Sequence, residues 1–180
     1  MWKTLIVIAC LLFPGAAFAQ SPPAAMQAVC GFKLGPDLFD KWRKESQAGL
    51  LGCPLNSEGE ATASLQGTTG RWALFADTPT AEGGVLVLAT SGARAGTVFM
   101  VRGCIGAVYQ ALGSSGGVFG FPLTEEYKTP GGTRADFEGG NISYDATSGR
   151  CTAHPVTAKP TALAQLANRA GTVYHHHLAH

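Results

Sequence analysis

Gly120-Phe121-Pro122-Leu123 has an earlier counterpart in Gly52-Cys53-Pro54-Leu55, and the residues around both segments correspond in the same order. Upstream, Leu38-Phe39-Asp40-Lys41-Trp42 aligns with Ile105-Gly106-Ala107-Val108-Tyr109, which sets Trp42 opposite Tyr109 and Leu38 opposite Ile105. Downstream, Gly70–Phe75 answers Gly132–Phe137, and Gly83-Gly84-Val85-Leu86-Val87 answers Gly139-Gly140-Asn141-Ile142-Ser143. Ala89-Thr90-Ser91-Gly92 answers Ala146-Thr147-Ser148-Gly149, and Glu58 stands opposite Glu126. Matched blocks in one order point to an internal repeat, with copies at about 34–96 and 101–151.

Working outward, Leu38, Phe39 and Trp42 fall on one side of a helix running to Ser46 and capped by Asp37. Ile105, Val108, Tyr109 and Leu112 make the same pattern, stopped by Gly113. Arg134–Glu138, the Gly139-Gly140 turn and Asn141–Tyr144 read as a hairpin, and Val85–Leu88 and Thr97–Val101 as further strands. Gly120 suits a backbone conformation closed to other residues, Pro122 fixes the bend, and Phe121 or Leu123 enters the core. On this reading Gly52, Pro54, Gly120, Phe121 and Pro122 are structural. The fold class is α+β: two short helix-plus-hairpin units that share one core because neither buries enough alone.

The segment Val118-Phe119-Gly120-Phe121-Pro122, with Gly103-Cys104-Ile105, Phe137-Glu138-Gly139-Gly140 and Ile142-Ser143-Tyr144, resembles the LGFP repeat family. The first copy departs from the pattern, carrying Cys53 at the position of Phe121 and six extra residues at 76–81. Members of that family are secreted envelope proteins, some bearing mycolate-transferring esterase domains. The resemblance implies a module that helps hold a protein in the cell wall.

Met1-Trp2-Lys3, the apolar run Leu5–Phe13 and the small residues ending at Ala19 make a cleavable signal peptide over residues 1–19. The apolar run is too short for a bilayer span, which needs roughly 20 residues. No transmembrane segment is therefore expected in the mature chain, and the expected location is secreted or envelope-associated. Cleavage would leave 161 residues and remove one charged side chain, Lys3, taking the formal net charge from +1 to zero. A neutral chain has no field to attract a phosphate backbone, which argues against nucleic acid as partner. The mature part, a repeat domain at 20–155 and a weakly helical or flexible tail at 156–180, keeps Cys30, Cys53, Cys104 and Cys151. An even count in an exported chain reads as two disulfides. Three pairings are open, of which the two halves favour Cys30 with Cys53 and Cys104 with Cys151.

Catalytic chemistry is thin. There is no Gly-x-Ser-x-Gly elbow, His154 is the one histidine outside the terminal tract His175–His180, and that tract has no fixed metal geometry. Neither a cofactor nor a metal site is expected. The carboxylates Glu58, Glu126, Asp136 and Glu138 leave a carbohydrate hydrolase as an alternative, since such enzymes need two carboxyls at set separations. Trp72, Tyr127 and Tyr144 offer flat faces, while Arg71, Arg134, Glu58 and Glu126 can donate and accept around a sugar or envelope polymer. The expected function is non-catalytic association with a cell-wall polymer or envelope glycan. The alternative partner is an extracytoplasmic protein.

Overall fold

Val85-Leu86-Val87-Leu88 is apolar without alternation, and the computed structural model, which describes residues 25–156, buries that strand on both faces. The elements are β1 (Gln27–Val29), β2 (Phe32–Leu34), α1 (Pro36–Gln47), β3 (Gly59–Ala61), β4 (Gly70–Phe75), β5 (Gly84–Ala89), β6 (Val98–Arg102), α2 (Gly103–Ala111), β7 (Tyr127–Thr129), β8 (Gly132–Phe137), β9 (Gly140–Asp145) and β10 (Arg150–Pro155). Two four-stranded antiparallel sheets follow the two helices, in the orders β3-β4-β5-β6 and β7-β8-β9-β10, and β1 pairs with β2 as a separate ribbon. The expected leader at 1–19 and nearly all of the tail at 156–180 lie outside the described residues.

The architecture is α+β, with more sheet than expected. The hairpin at Arg134–Tyr144 is present as β8-β9, but β7 and β10 extend it on both sides. Residues 127–129 are too few to show a period, and β10, Arg-Cys-Thr-Ala-His-Pro, is too polar to look like a strand by composition. Asp37 is not the cap of α1. Gly35 occupies that position, Pro36 begins the first turn with its φ already suited to the helix, and Asp37 sits in the first turn, where its charge favours the dipole.

The helices and sheets alternate in layers. Leu38 of α1 packs with Ala73, Phe75, Leu86, Leu88 and Met100 on one face of the first sheet. Val85, Val87, Ala89 and Val101 on its other face pack with Ile105, Val108, Tyr109 and Leu112 of α2 and its neighbourhood. That helix is covered in turn by Ala135, Phe137 and Ile142 of the second sheet. Period-2 alternation thus runs along β5, with both sets of side chains finding an apolar partner.

The glycine-proline segments hold the ends of these layers. Leu55 N–H donates to Leu74 O (2.8 Å) and Ala76 N–H to Cys53 O (2.9 Å). In the second half Leu123 N–H donates to Asp136 O (2.8 Å) and Glu138 N–H to Phe121 O (3.0 Å). Each segment is therefore a short added strand on the end of β4 or β8. The aromatic residues aligned on the helices reach the same glycine carbonyl: Trp42 Nε1–H donates to Gly52 O (2.9 Å) and Tyr109 O–H to Gly120 O (3.0 Å). Gly120 has φ +65°, a conformation that only glycine takes without strain.

Phe121 joins the halves. Its side chain is 1% exposed and its ring lies against Gly70 at the start of β4, where a Cβ would collide with the ring and with Leu88 O. Cys53, at the equivalent place, is exposed and bonded to Cys30 in the turn between β1 and β2. Cys104 of α2 is bonded to Cys151 of β10. The polar joints between halves are Lys41 Nζ with Glu125 (2.6 Å), Ser115 O–H to Thr62 O (2.8 Å) and Thr68 O–H to Glu138.

Two outcomes follow from this packing. Phe121→Ala is expected to lower unfolding free energy by about 3–5 kcal/mol, measured by denaturant titration, because it opens a cavity between the sheets. Burial, with the charge of Glu138, pushes the Tyr109 hydroxyl above its ordinary pKa of 10.0. The Lys41 ammonium is lowered by burial but carried above its ordinary value by Glu125 and then Glu45. A group with a raised folded pKa contributes stability in full below its unfolded pKa and loses it as pH rises further. Stability should therefore fall above about pH 10, and less steeply in Tyr109→Phe, as read by thermal melts across that range.

Candidate functional site

The faces of the two sheets that occupy equivalent positions differ in one consistent way. On the first sheet, the face turned to α2 carries Trp72, Leu74, Val85, Val87, Phe99 and Val101. The register of the second sheet places Arg134, Asp136, Asn141, Ser143, Thr152 and His154 at those positions. Every apolar side chain on the face that meets a neighbouring helix is replaced by a polar one on the face that points outward. Among the described residues no element covers that outer face.

The polar groups there are connected. Arg134 donates through Nε (2.7 Å) and Nη2 (2.6 Å) to Asp136 Oδ1, and Tyr127 O–H donates to Asp136 Oδ2 (2.9 Å). The hydrogen bond to Asp136 raises the pKa of the Tyr127 hydroxyl and of the Arg134 guanidinium. Tyr127 is 38% exposed, so its ring forms part of the open surface. One row further along, Ser143 Oγ and His154 Nε2 lie 3.1 Å apart. At the end of β9, Asp145 accepts from the N–H and O–H of Ser148 and the N–H of Thr147, which hold its carboxyl below the usual range. A basin of about 490 Å³ lies over this end of the sheet, bounded by Thr129, Arg134, Asn141, Ser143, Asp145 and His154 with Tyr144 at its margin.

The expected site residues do not form one cluster. Tyr127 and Arg134 come together on the outer face, with Tyr127 directly opposite Arg134 in the β7–β8 register. Tyr144 alternates to the other face and packs half-buried against the α2 core. Trp72 lines a second cavity of about 290 Å³ between the first sheet and α2, with Leu74, Val85, Val87 and Tyr109, and its Nε1–H donates to Glu60 O (3.1 Å). The Glu58 side chain is 3% exposed, accepts from Gly35 N–H at 2.5 Å and is paired with Arg71, which also contacts Glu60 (2.7 Å). That pair secures the start of α1 against β4 and is turned away from the outer face. Glu126 is exposed and accepts from Thr133 O–H (2.5 Å).

The carboxylates considered for hydrolysis each have partners. Glu138 accepts from Phe121 N–H (2.9 Å) and Thr68, while Asp136 holds Arg134 and Tyr127. Among the described residues no group of three or more His, Cys, Asp or Glu side chains is placed to hold a metal ion. Asn141, Ser143, Asp145 and Thr129 are not among the residues the sequence singles out for a site, and His154 is noted only as an isolated histidine, although the aligned halves contain the signal: Val85 and Val87 answer Asn141 and Ser143.

Restoring the first-half pattern should expose an apolar sheet. The triple variant Asp136→Leu, Asn141→Val, Ser143→Val is expected to self-associate at concentrations where the parent is monodisperse, measured by sedimentation velocity.

No curated protein matches the chain. The family model described as LGFP repeat matches residues 119–166, from Phe119 of the glycine-proline segment through the second sheet and beyond the described residues. The chain therefore carries an LGFP repeat, built around the Gly120-Phe121-Pro122 segment that ends the second sheet.

Proposed function

We propose that this chain is an exported, non-catalytic module that associates with a cell-wall polymer through the outer face of its second sheet. The observation that carries this reading is the replacement of six apolar positions on the first sheet by six polar ones on the second. A helix buried in the first case gives way to an open surface of fixed donors and acceptors, with an exposed Tyr127 ring beside them. Flat polar surfaces of this kind suit an extended hydrated polymer, which offers hydroxyls along its length and little apolar area.

In this reading the two halves are copies of one unit, a helix followed by a glycine-proline strand and a four-stranded meander. The shared helix-to-glycine hydrogen bonds support it. The LGFP repeat and the disulfides within each half support an oxidising, extracytoplasmic location. No helix among the described residues is long and apolar enough to cross a membrane. A hydrolytic role is disfavoured by the ties on Glu58, Asp136 and Glu138, which hold those carboxylates to backbone, guanidinium or hydroxyl groups.

The test is co-sedimentation of the oxidised protein with purified insoluble cell wall from its own source, with soluble fragments assayed in the same tubes. Saturable pelleting without fragment release is expected. Tyr127→Ala combined with Arg134→Ala should weaken it at least about tenfold, equivalent to about 1.4 kcal/mol, while leaving the melting temperature nearly unchanged. Fragment release would overturn the non-catalytic part, and undiminished binding by the double variant would move the surface elsewhere.

A further inference from the structure

Gly70 and Gly132 occupy the same register position in their sheets, Gly70 opposite Ala89 and Gly132 opposite Asp145. At both, the backbone of the next strand comes so close that a Cβ would collide with its carbonyl, Leu88 O in one case and Tyr144 O in the other. The difference is in front of the glycine. Gly70 is the seat of the Phe121 ring, whereas the nearest atoms around Gly132 all belong to the Tyr144 and Asp145 backbone. The basin of about 490 Å³ is bounded by the neighbours of this second seat, Thr129, Arg134 and Asp145, and is within the size range of small-ligand sites.

The rim of the seat has changed with its occupant. Around Gly70 stand Ala61, Trp72 and Ala89, which suit a phenyl ring. Around Gly132 stand Thr129, Arg134 and Asp145, with Asn141, Ser143 and His154 further along the face. Among the described residues nothing bonds to the Asn141 amide or the Thr129 hydroxyl, so both can meet an incoming group. The two permanent charges on the rim, Arg134 and Asp145, are of opposite sign. A phenyl ring would leave these groups facing apolar carbon, and a polyanion would meet Asp145.

We infer that the seat over Gly132 takes one uncharged sugar ring of a glycan chain, lying where Phe121 lies in the first half and hydrogen-bonded by Thr129 and Ser143, with the next ring of the chain meeting Asn141 further along the face. This deepens the cell-wall reading above and rests on it for the source of the glycan. The ring's carbons cover the bare backbone at Gly132, and its hydroxyls meet the amide and hydroxyl groups of the rim. Arg134, held by Asp136, is fixed in orientation before any sugar arrives.

The experiment is a nitrogen-15 NMR titration of the full oxidised chain with uncharged tetrasaccharides of hexoses, pentoses and N-acetylhexosamines, and separately with polygalacturonate. At least one uncharged tetrasaccharide should shift the Gly132, Tyr144 and Asp145 amides. Asn141→Ala with Ser143→Ala should weaken that binding tenfold or more, and Ser143→Trp, which fills the basin, should abolish it. If no uncharged sugar shifts these amides, or only polygalacturonate does, the seat is overturned. Cell-wall pelleting is scored separately. Pelleting without amide shifts removes the seat and leaves the wall reading, whereas amide shifts without pelleting remove the wall reading and leave the seat.

Discussion

The contact between the Phe121 ring and the bare backbone at Gly70 sets the distance between the two halves. Closer approach is blocked by the ring, and separation would expose Phe121, Phe119 and Phe137 together, side chains each worth about 1.5–3 kcal/mol of burial. The Phe119 and Phe137 rings meet edge to face and Tyr109 stacks on Phe137, so the region behind Phe121 resists repacking. Tyr109 is tied at its tip to Gly120, one residue before the anchor. Helix position, turn conformation and the seating of the ring therefore cannot change independently.

Part of this organisation was legible because matched blocks such as Gly52-Cys53-Pro54 and Gly120-Phe121-Pro122 point to equivalent positions in the chain. Aligning Trp42 with Tyr109 predicted equivalent placements, and both indeed reach a glycine carbonyl of the glycine-proline segment. The pairing of Cys30 with Cys53 and of Cys104 with Cys151 follows the same division. Short strands were not legible, since three residues such as Tyr127–Thr129 carry no period and owe their state to the neighbouring strand. The candidate site was harder still. Residue type alone groups Tyr127 and Arg134, on an open face, with Glu58 and Tyr144, whose roles are set by what covers them. Burial is a property of the assembled layers and has no local signature in the chain.

Among the described residues the layers end at the outer face of the second sheet, and its side chains explain why. A layered arrangement of helices and sheets could be extended by another helix wherever an apolar face is presented, as the first sheet presents Trp72, Val85 and Val87 to α2. Arg134, Asp136, Asn141 and Ser143 make such an addition costly, because an apolar helix would strip water from charged and polar groups and return no hydrogen bonds in its place. On the function proposed above, the same polar side chains that refuse another helix would also form the binding surface.

The two crosslinks neither nest nor cross: Cys53 is the next cysteine after Cys30 in the sequence, and Cys151 the next after Cys104. Were the chain threaded N-terminus first through a translocation pore, as the proposed export implies, each thiol that has to wait would find its mate as the next one to appear. Oxidation in order of emergence would then lead to the observed connectivity directly.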